Sequence, residues 1–288
     1  IAINTTSGLK TTNIELYLSH LLYKYNYEIS IHTCNGLLKG CSLCEKERSG
    51  ELNLNLKEIK EINCLPCKSL AKTISLVNLN KDINISTWPN LTRYDEKLIR
   101  NYIDNFKKNN FKELYKDCEV HEHAKSTLSR YLGRSIIDKE INNNMYLKSL
   151  YFDFLESACI AASLWINIIS TETPDLIILN HGLYIPQGIV LEIAKRKDIK
   201  VATFHPGYRK GTVLIAHGDT YHKTLVDKDV NKFLNKKLNP IQLKRIKSYL
   251  RSKRDGSQDQ ISFAHKNAEK FEIPKNLTRL KNKILVLT

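Results

Sequence analysis

A chain of 288 residues, 42% hydrophobic and 26% charged, can bury a sizeable core, which excludes an intrinsically disordered polymer. Its longest mostly apolar run, Ala158 to Ile169, is about 12 residues, short of the roughly 20 that a membrane-spanning helix needs. The net charge of +15 admits polyanionic partners, but Lys and Asn recur along the whole chain and dilute that signal.

In chain order, Ile1 to Thr5 reads as the end of a strand and Ser7-Gly8 as the turn leaving it. A helix follows over Thr12 to Lys24, with Ile14, Leu18, Leu21 and Leu22 near helical spacing. Tyr27 to His32 alternates and is rich in isoleucine, as a strand does. Strand, turn, helix and strand open a Rossmann-like, doubly wound α/β domain with a parallel sheet. Residues 34–135 read as a helical, cysteine-containing insertion, loop-rich between Cys34 and Cys67. A long helix covers Asn144 to Ile169 and ends before Thr173-Pro174, where proline disfavours helix in its predecessor.

Beyond it, Asp175 to Leu179, Lys200 to Phe204 and Thr212 to Ala216 read as short buried strands, with a helix over Pro186 to Arg196. Polar clusters follow all three: Asn180-His181-Gly182, the run from His205 to Lys210, and the run from His217 to His222. Parallel pairing would gather these clusters at one sheet edge, where open α/β sheets bind ligands. From Asn231 to Arg254 the chain carries nine Lys/Arg and no acidic residue, the pattern of a solvated helix face or of an anionic-surface contact. The main domain thus runs over 1–255 and a polar linker over 256–282.

Cys41-Ser-Leu-Cys44 and Cys64-Leu-Pro-Cys67, nineteen residues apart, have the spacing of a structural zinc site. Reduced packing thiols are the alternative, consistent with seven cysteines in a reducing compartment. Among the histidines, His181, His205, His217 and His222 stand at strand ends, and imidazole suits general-base work on a hydroxyl. His181 and Asp219 are the candidate catalytic bases. Arg209 and Lys210 suit anionic groups, and Gly8 and Gly182 allow close backbone approach to a ligand. His121-Glu122-His123 reads as solvated surface, since residues two apart on a helix do not share a face.

The segment from His181 to His222 resembles bacterial capsule and surface-polysaccharide glycosyltransferases built from two Rossmann-like domains, the GT-B type. His181, Gly182, Tyr184, Pro186, Gly188, Tyr208, Arg209, Lys210, His217, Asp219, Thr220, Tyr221 and His222 carry the resemblance. Cys34-Asn35-Gly36, Cys41 and Cys64-x-x-Cys67 extend it upstream, with asparagine at 35 where aspartate is expected. The resemblance implies the amino-terminal, acceptor-side half of such an enzyme, with 283–288 (KILVLT) opening a donor-binding half. It also implies transfer of a sugar from a nucleotide-sugar donor to a glycan or lipid-linked acceptor of capsule or lipopolysaccharide. No cofactor is then needed for catalysis, and the partly complete site of such a fragment is expected to be inactive alone. Gly8, Gly182, Tyr184, His205, Tyr208, Arg209, Lys210, His217, Tyr221 and His222 would bind substrate. The expected location is cytoplasmic, with residues 231–254 against the inner membrane face.

Two alternatives remain open at this point: a zinc-knuckle module that binds nucleic acid, and a non-catalytic homologue. Residues 45–63, between the knuckles, carry both signs of charge and no aromatic ring, so no nucleic-acid partner is expected.

Overall fold

The computed structural model describes residues 1–5, 9–44, 55–77, 83–109, 113–226 and 236–252. Gly8, the 256–282 linker and the strand expected at 283–288 lie outside the described residues. The protein is an α/β structure built on a six-stranded sheet of order β3-β2-β1-β4-β5-β6. Its strands are β1 (Ala2–Thr5), β2 (Ile29–Thr33), β3 (Ile83–Thr87), β4 (Leu176–Asn180), β5 (Lys200–Pro206) and β6 (Val213–His217).

Strands β1 to β5 are mutually parallel. The register aligns Ile85, Ile31, Ile3, Ile178 and Ala202 in one row across the sheet. Isoleucine is favoured here because its branched side chain fits a pleated, doubly covered surface. One consequence positions everything that follows: the carboxyl ends of five strands share one edge. The sixth strand breaks the pattern. Only six residues join β5 to β6, and the Gly218 amide donates to the Val201 carbonyl at the start of β5 (2.8 Å). β6 therefore runs antiparallel, and its carboxyl end lies at the opposite edge, contrary to the sequence-based expectation.

Helix α1 (Leu9–Tyr23) joins β1 to β2, and α2 (Leu56–Val77) joins β2 to β3. The region expected to be loop-rich thus ends inside a helix of 22 residues, started by a reciprocal cap in which Asn55 and Glu58 each bond the other's backbone amide. Cys64 and Cys67 ride on that helix. Strand β3 lies inside the 34–135 span read as an insertion, yet it forms an edge of the sheet. Between β3 and β4 come α3 (Arg93–Asn109), α4 (Val120–Leu132), α5 (Asp138–Asn143) and α6 (Met145–Glu172), and α7 (Gln187–Arg196) links β4 to β5.

Helix α6 is the centre of the core. α3, α4, α5 and α7 all pack on it, and Phe154, Leu155, Ala158, Ala161, Ala162 and Trp165 are fully buried. It is long and apolar enough to cross a membrane by length and composition, longer than its apolar run suggested. Its burial inside the protein explains that composition instead. Asn144 caps it through the Leu147 amide (3.1 Å).

The described residues divide into two compact units. One holds the sheet through His205, together with β6 and α8 (Tyr221–Val226). The other holds Pro206–Thr212 and α9 (Pro240–Ser252). Helix α9 opens with proline after a capping Asn239, whose carboxamide accepts the Gln242 amide (2.8 Å).

Candidate functional site

At the carboxyl end of β4 the chain turns through two consecutive left-handed residues, His181 (φ 58°) and Gly182 (φ 73°). The turn is fixed from both sides: the His181 amide donates to Phe204 O on β5 (3.1 Å), and the Gly182 amide to Asn180 O (2.7 Å). A left-handed histidine is uncommon and costs backbone energy, so the surrounding structure holds it there. The turn throws the imidazole across the end of β5, where its ring centroid lies 4.1 Å from that of His205.

Two further rings close the group. Tyr221 lies 5.3 Å from His205 in a stacked arrangement, and His222 lies 6.2 Å from His181 with the planes only 9° apart. Tyr184 meets His181 edge-on at 6.2 Å, and the Arg130 guanidinium sits 4.6 Å over the Tyr184 ring. Burial, aided by His205, Arg130 and His222, pushes the His181 pKa down to about 3, so the ring is neutral at physiological pH. Its Nδ1 is buried without a hydrogen-bond partner. A neutral imidazole can accept a proton through its unprotonated ring nitrogen, and the rings around it bring apolar faces to the same place.

Helix α8 explains how Tyr221 and His222 reach this edge although β6 ends at the other one. After Gly218 the chain recrosses β5: Thr203 Oγ1 donates to Asp219 O (2.9 Å), and the next residues return toward His205. Asp219 itself is committed to this crossing. Its carboxylate accepts from Lys195 (2.7 Å) and from the Thr220 amide (2.7 Å). Burial works against its ionisation, but those bonds and the nearby lysines prevail and hold its pKa below the usual range. The carboxylate expected as a base is thus held by Lys195 and by its neighbour's amide on the return across β5. His217, at the exposed end of β6, stays at the opposite edge, away from the rings.

Tyr208, Arg209 and Lys210 form the exposed β5–β6 turn of the second unit. There the Arg209 guanidinium lies 5.7 Å from the Tyr249 ring of α9, and the Arg209 carbonyl accepts from Thr212. The described part of the 231–254 basic segment, residues 236–252, is almost wholly exposed, including Ile241, Leu243, Ile246 and Leu250.

Three contributors escaped sequence reasoning. Arg130 joins the site from α4, and its Nε also donates to Ser42 O (3.1 Å). His123, expected on the surface, holds the loop after β4 by contacting Leu183 O (3.2 Å) and Glu192 (3.1 Å). Gly188 is what admits it: a Cβ there would collide with the His123 ring and the Leu183 carbonyl. Ser42 donates its amide to Ile185 O (2.9 Å), tying the loop after β2 to the loop after β4. The signal for these lies in partners far along the chain, which no local pattern carries.

Of the expected metal ligands, Cys41 and Cys44 lie in the loop after β2, and Cys64 and Cys67 on α2. All seven cysteines are free thiols. Among the described residues no group of three or more His, Cys, Asp or Glu side chains is placed to hold a metal ion. No protein-family model, curated protein or solved structure matches this chain. The site's own geometry therefore carries the functional argument.

Proposed function

We propose that the chain is the acceptor-side half of a two-domain glycosyltransferase, with a doubly wound, Rossmann-like sheet and a cleft above its carboxyl edge. The observation that carries this reading is the ring group of His181, His205, Tyr221 and His222 at the ends of β4 and β5. Two features support it further. The order β3-β2-β1-β4-β5 is that of the doubly wound sheets whose ligands sit where the order reverses, here between β1 and β4. The 181–222 segment also carries the residues by which the sequence resembles surface-polysaccharide glycosyltransferases.

In an inverting transfer, the acceptor hydroxyl would give its proton to His181 while its oxygen bonds the anomeric carbon and the nucleoside diphosphate leaves. His181 starts unprotonated, as a base must. The negative charge of a bound nucleotide diphosphate would raise its proton affinity toward neutrality, the direction that general-base catalysis needs. The test is transfer by the full-length protein from a panel of nucleotide sugars, compared with His181→Ala. The variant is expected to lose at least about 100-fold in kcat, and His217→Ala to stay close to wild type. An unchanged rate in His181→Ala removes the base; no transfer by the wild-type enzyme from any donor removes the enzymatic reading in favour of a non-catalytic homologue.

The same reading places α9 against the anionic membrane that would carry a lipid-linked acceptor. Leu243, Ile246 and Leu250 share a helix face flanked by Lys244, Lys247 and Arg251, and the apolar residues are exposed. The protein should co-sediment with phosphatidylglycerol-containing vesicles and not with neutral ones. Loss of binding in Lys244→Glu/Lys247→Glu/Arg251→Glu supports the contact, and equal binding to neutral vesicles refutes it.

A further inference from the structure

We propose that the cavity lined by α3, α4, α5 and α6 binds a small aromatic carboxylate, one planar ring that carries one carboxylate group. The cavity shares no residue with the ring group at the sheet edge, and the inference does not rest on the sugar-transfer reading.

The walls follow from how the helices meet. Phe106, near the end of α3, stacks on the His121 ring of α4, with centroids 5.8 Å apart and planes at 27°. Tyr151 and Phe152 are consecutive on α6, and Phe152 meets Phe106 edge-on at 6.1 Å and Tyr151 at 5.5 Å. The Tyr151 hydroxyl and His121 Nδ1 share a hydrogen bond (2.6 Å), which fixes both rings and keeps them from turning into the space. Helix α5 contributes the buried Ile141. Between these side chains lies a cavity of about 160 Å3, partly open to solvent.

Size selects the body of the ligand. Sites for drug-sized molecules run to roughly 300 Å3 or more, whereas a cavity of about 150 Å3 holds a single benzene ring. An aromatic ring would gain edge-to-face and offset contacts with Phe106, Tyr151 and Phe152 that a saturated ring of the same size lacks.

Charge selects the head group. Lys107 and Lys148 also line the cavity. Lys107 Nζ sits 5.1 Å over the Phe152 ring, a cation–π contact that keeps its charge beside the cavity. Asp138, the acid of the lining, is taken by Lys125 (2.7 Å). No carboxylate among the described residues pairs with Lys107 or Lys148. The balance at this apolar space is therefore positive. A carboxylate lies coplanar with the ring that bears it, so its two oxygens can accept from ammonium groups while the ring stays among the aromatics.

Benzoate is the probe, titrated into the full chain and followed by nuclear magnetic resonance of its ring protons. The expected result is one saturable site with Kd below about 10 mM. Benzyl alcohol, of nearly the same size and uncharged, should bind about tenfold more weakly. Lys107→Gln/Lys148→Gln should lower benzoate affinity by about tenfold, with benzyl alcohol affinity and the urea midpoint unchanged. Absence of saturable benzoate binding to the wild type up to about 50 mM overturns the site. Benzyl alcohol bound as tightly as benzoate, or benzoate bound equally by the double variant, overturns the anionic class, and equal binding of cyclohexanecarboxylate overturns the aromatic one. If the double variant fails to fold, the wild-type ratio of benzoate to benzyl alcohol affinity decides.

Discussion

Two groups of histidines occupy this protein under opposite terms. In the helical layer, His121 bonds the Tyr151 hydroxyl (2.6 Å) and stacks on Phe106, and His123 bonds Leu183 O and Glu192. On the sheet, His32 bonds Ser86 and Glu172. These rings serve the fold, each bonded through at least one ring nitrogen to an oxygen of a neighbouring element. At the carboxyl edge of the sheet, His181 is held in a left-handed backbone, packed among like rings, with Nδ1 unsatisfied. The difference teaches which histidines to examine for chemistry: a buried imidazole that the fold leaves uncompensated is one whose compensation would come from a ligand.

The contrast can be broken most forcefully in the helical layer. His121→Ala should destabilise the protein by about 2–4 kcal/mol, because it removes a buried ring and leaves the Tyr151 hydroxyl unpaired beside a cavity of about 160 Å3. Urea unfolding measures this, and a change under about 0.5 kcal/mol would place His121 with surface residues. The opposite behaviour is expected at His181. His181→Gly should leave stability within about 1 kcal/mol of wild type or raise it, since glycine adopts the left-handed turn without strain and removes the orphaned nitrogen. The same pair of proteins sharpens the contrast by pH. In the unfolded chain His181 takes up its proton near 6.5, whereas in the fold it does so only near 3. Its contribution is therefore intact above pH 6.5 and declines as the pH falls from there toward 3. Acid unfolding of His181→Gly should be shallower across that window, and parallel curves would mean that His181 is not buried as described.

Much of this architecture was legible in the sequence. The isoleucine-rich strands, the long helix before Pro174 and the strand–helix–strand run from Leu176 were recognisable because each follows from local periodicity and turn chemistry. Helix α2 was hidden because Pro66 and two close cysteine pairs imitate a loop, although its Asn55–Glu58 cap was readable. Strand β3, INIST, is only half-buried at a sheet edge and so lacks a strong apolar signature. The structure brings the rings at 181, 205, 221 and 222 together. His217 was grouped with them wrongly, because strand direction depends on a six-residue hairpin and not on composition. Arg130, His123 and Ser42 depend on contacts to residues far along the chain, Tyr184, Leu183 and Gln187, which composition and spacing do not encode.

The return of α8 across β5 divides the ring group along the chain. The first 206 residues carry all five parallel strands, with His181 and His205 at the ends of two of them. Tyr221 and His222 come from the chain that hooks back over Thr203. A chain cut after Pro206 would keep the five parallel strands but only two of the four rings.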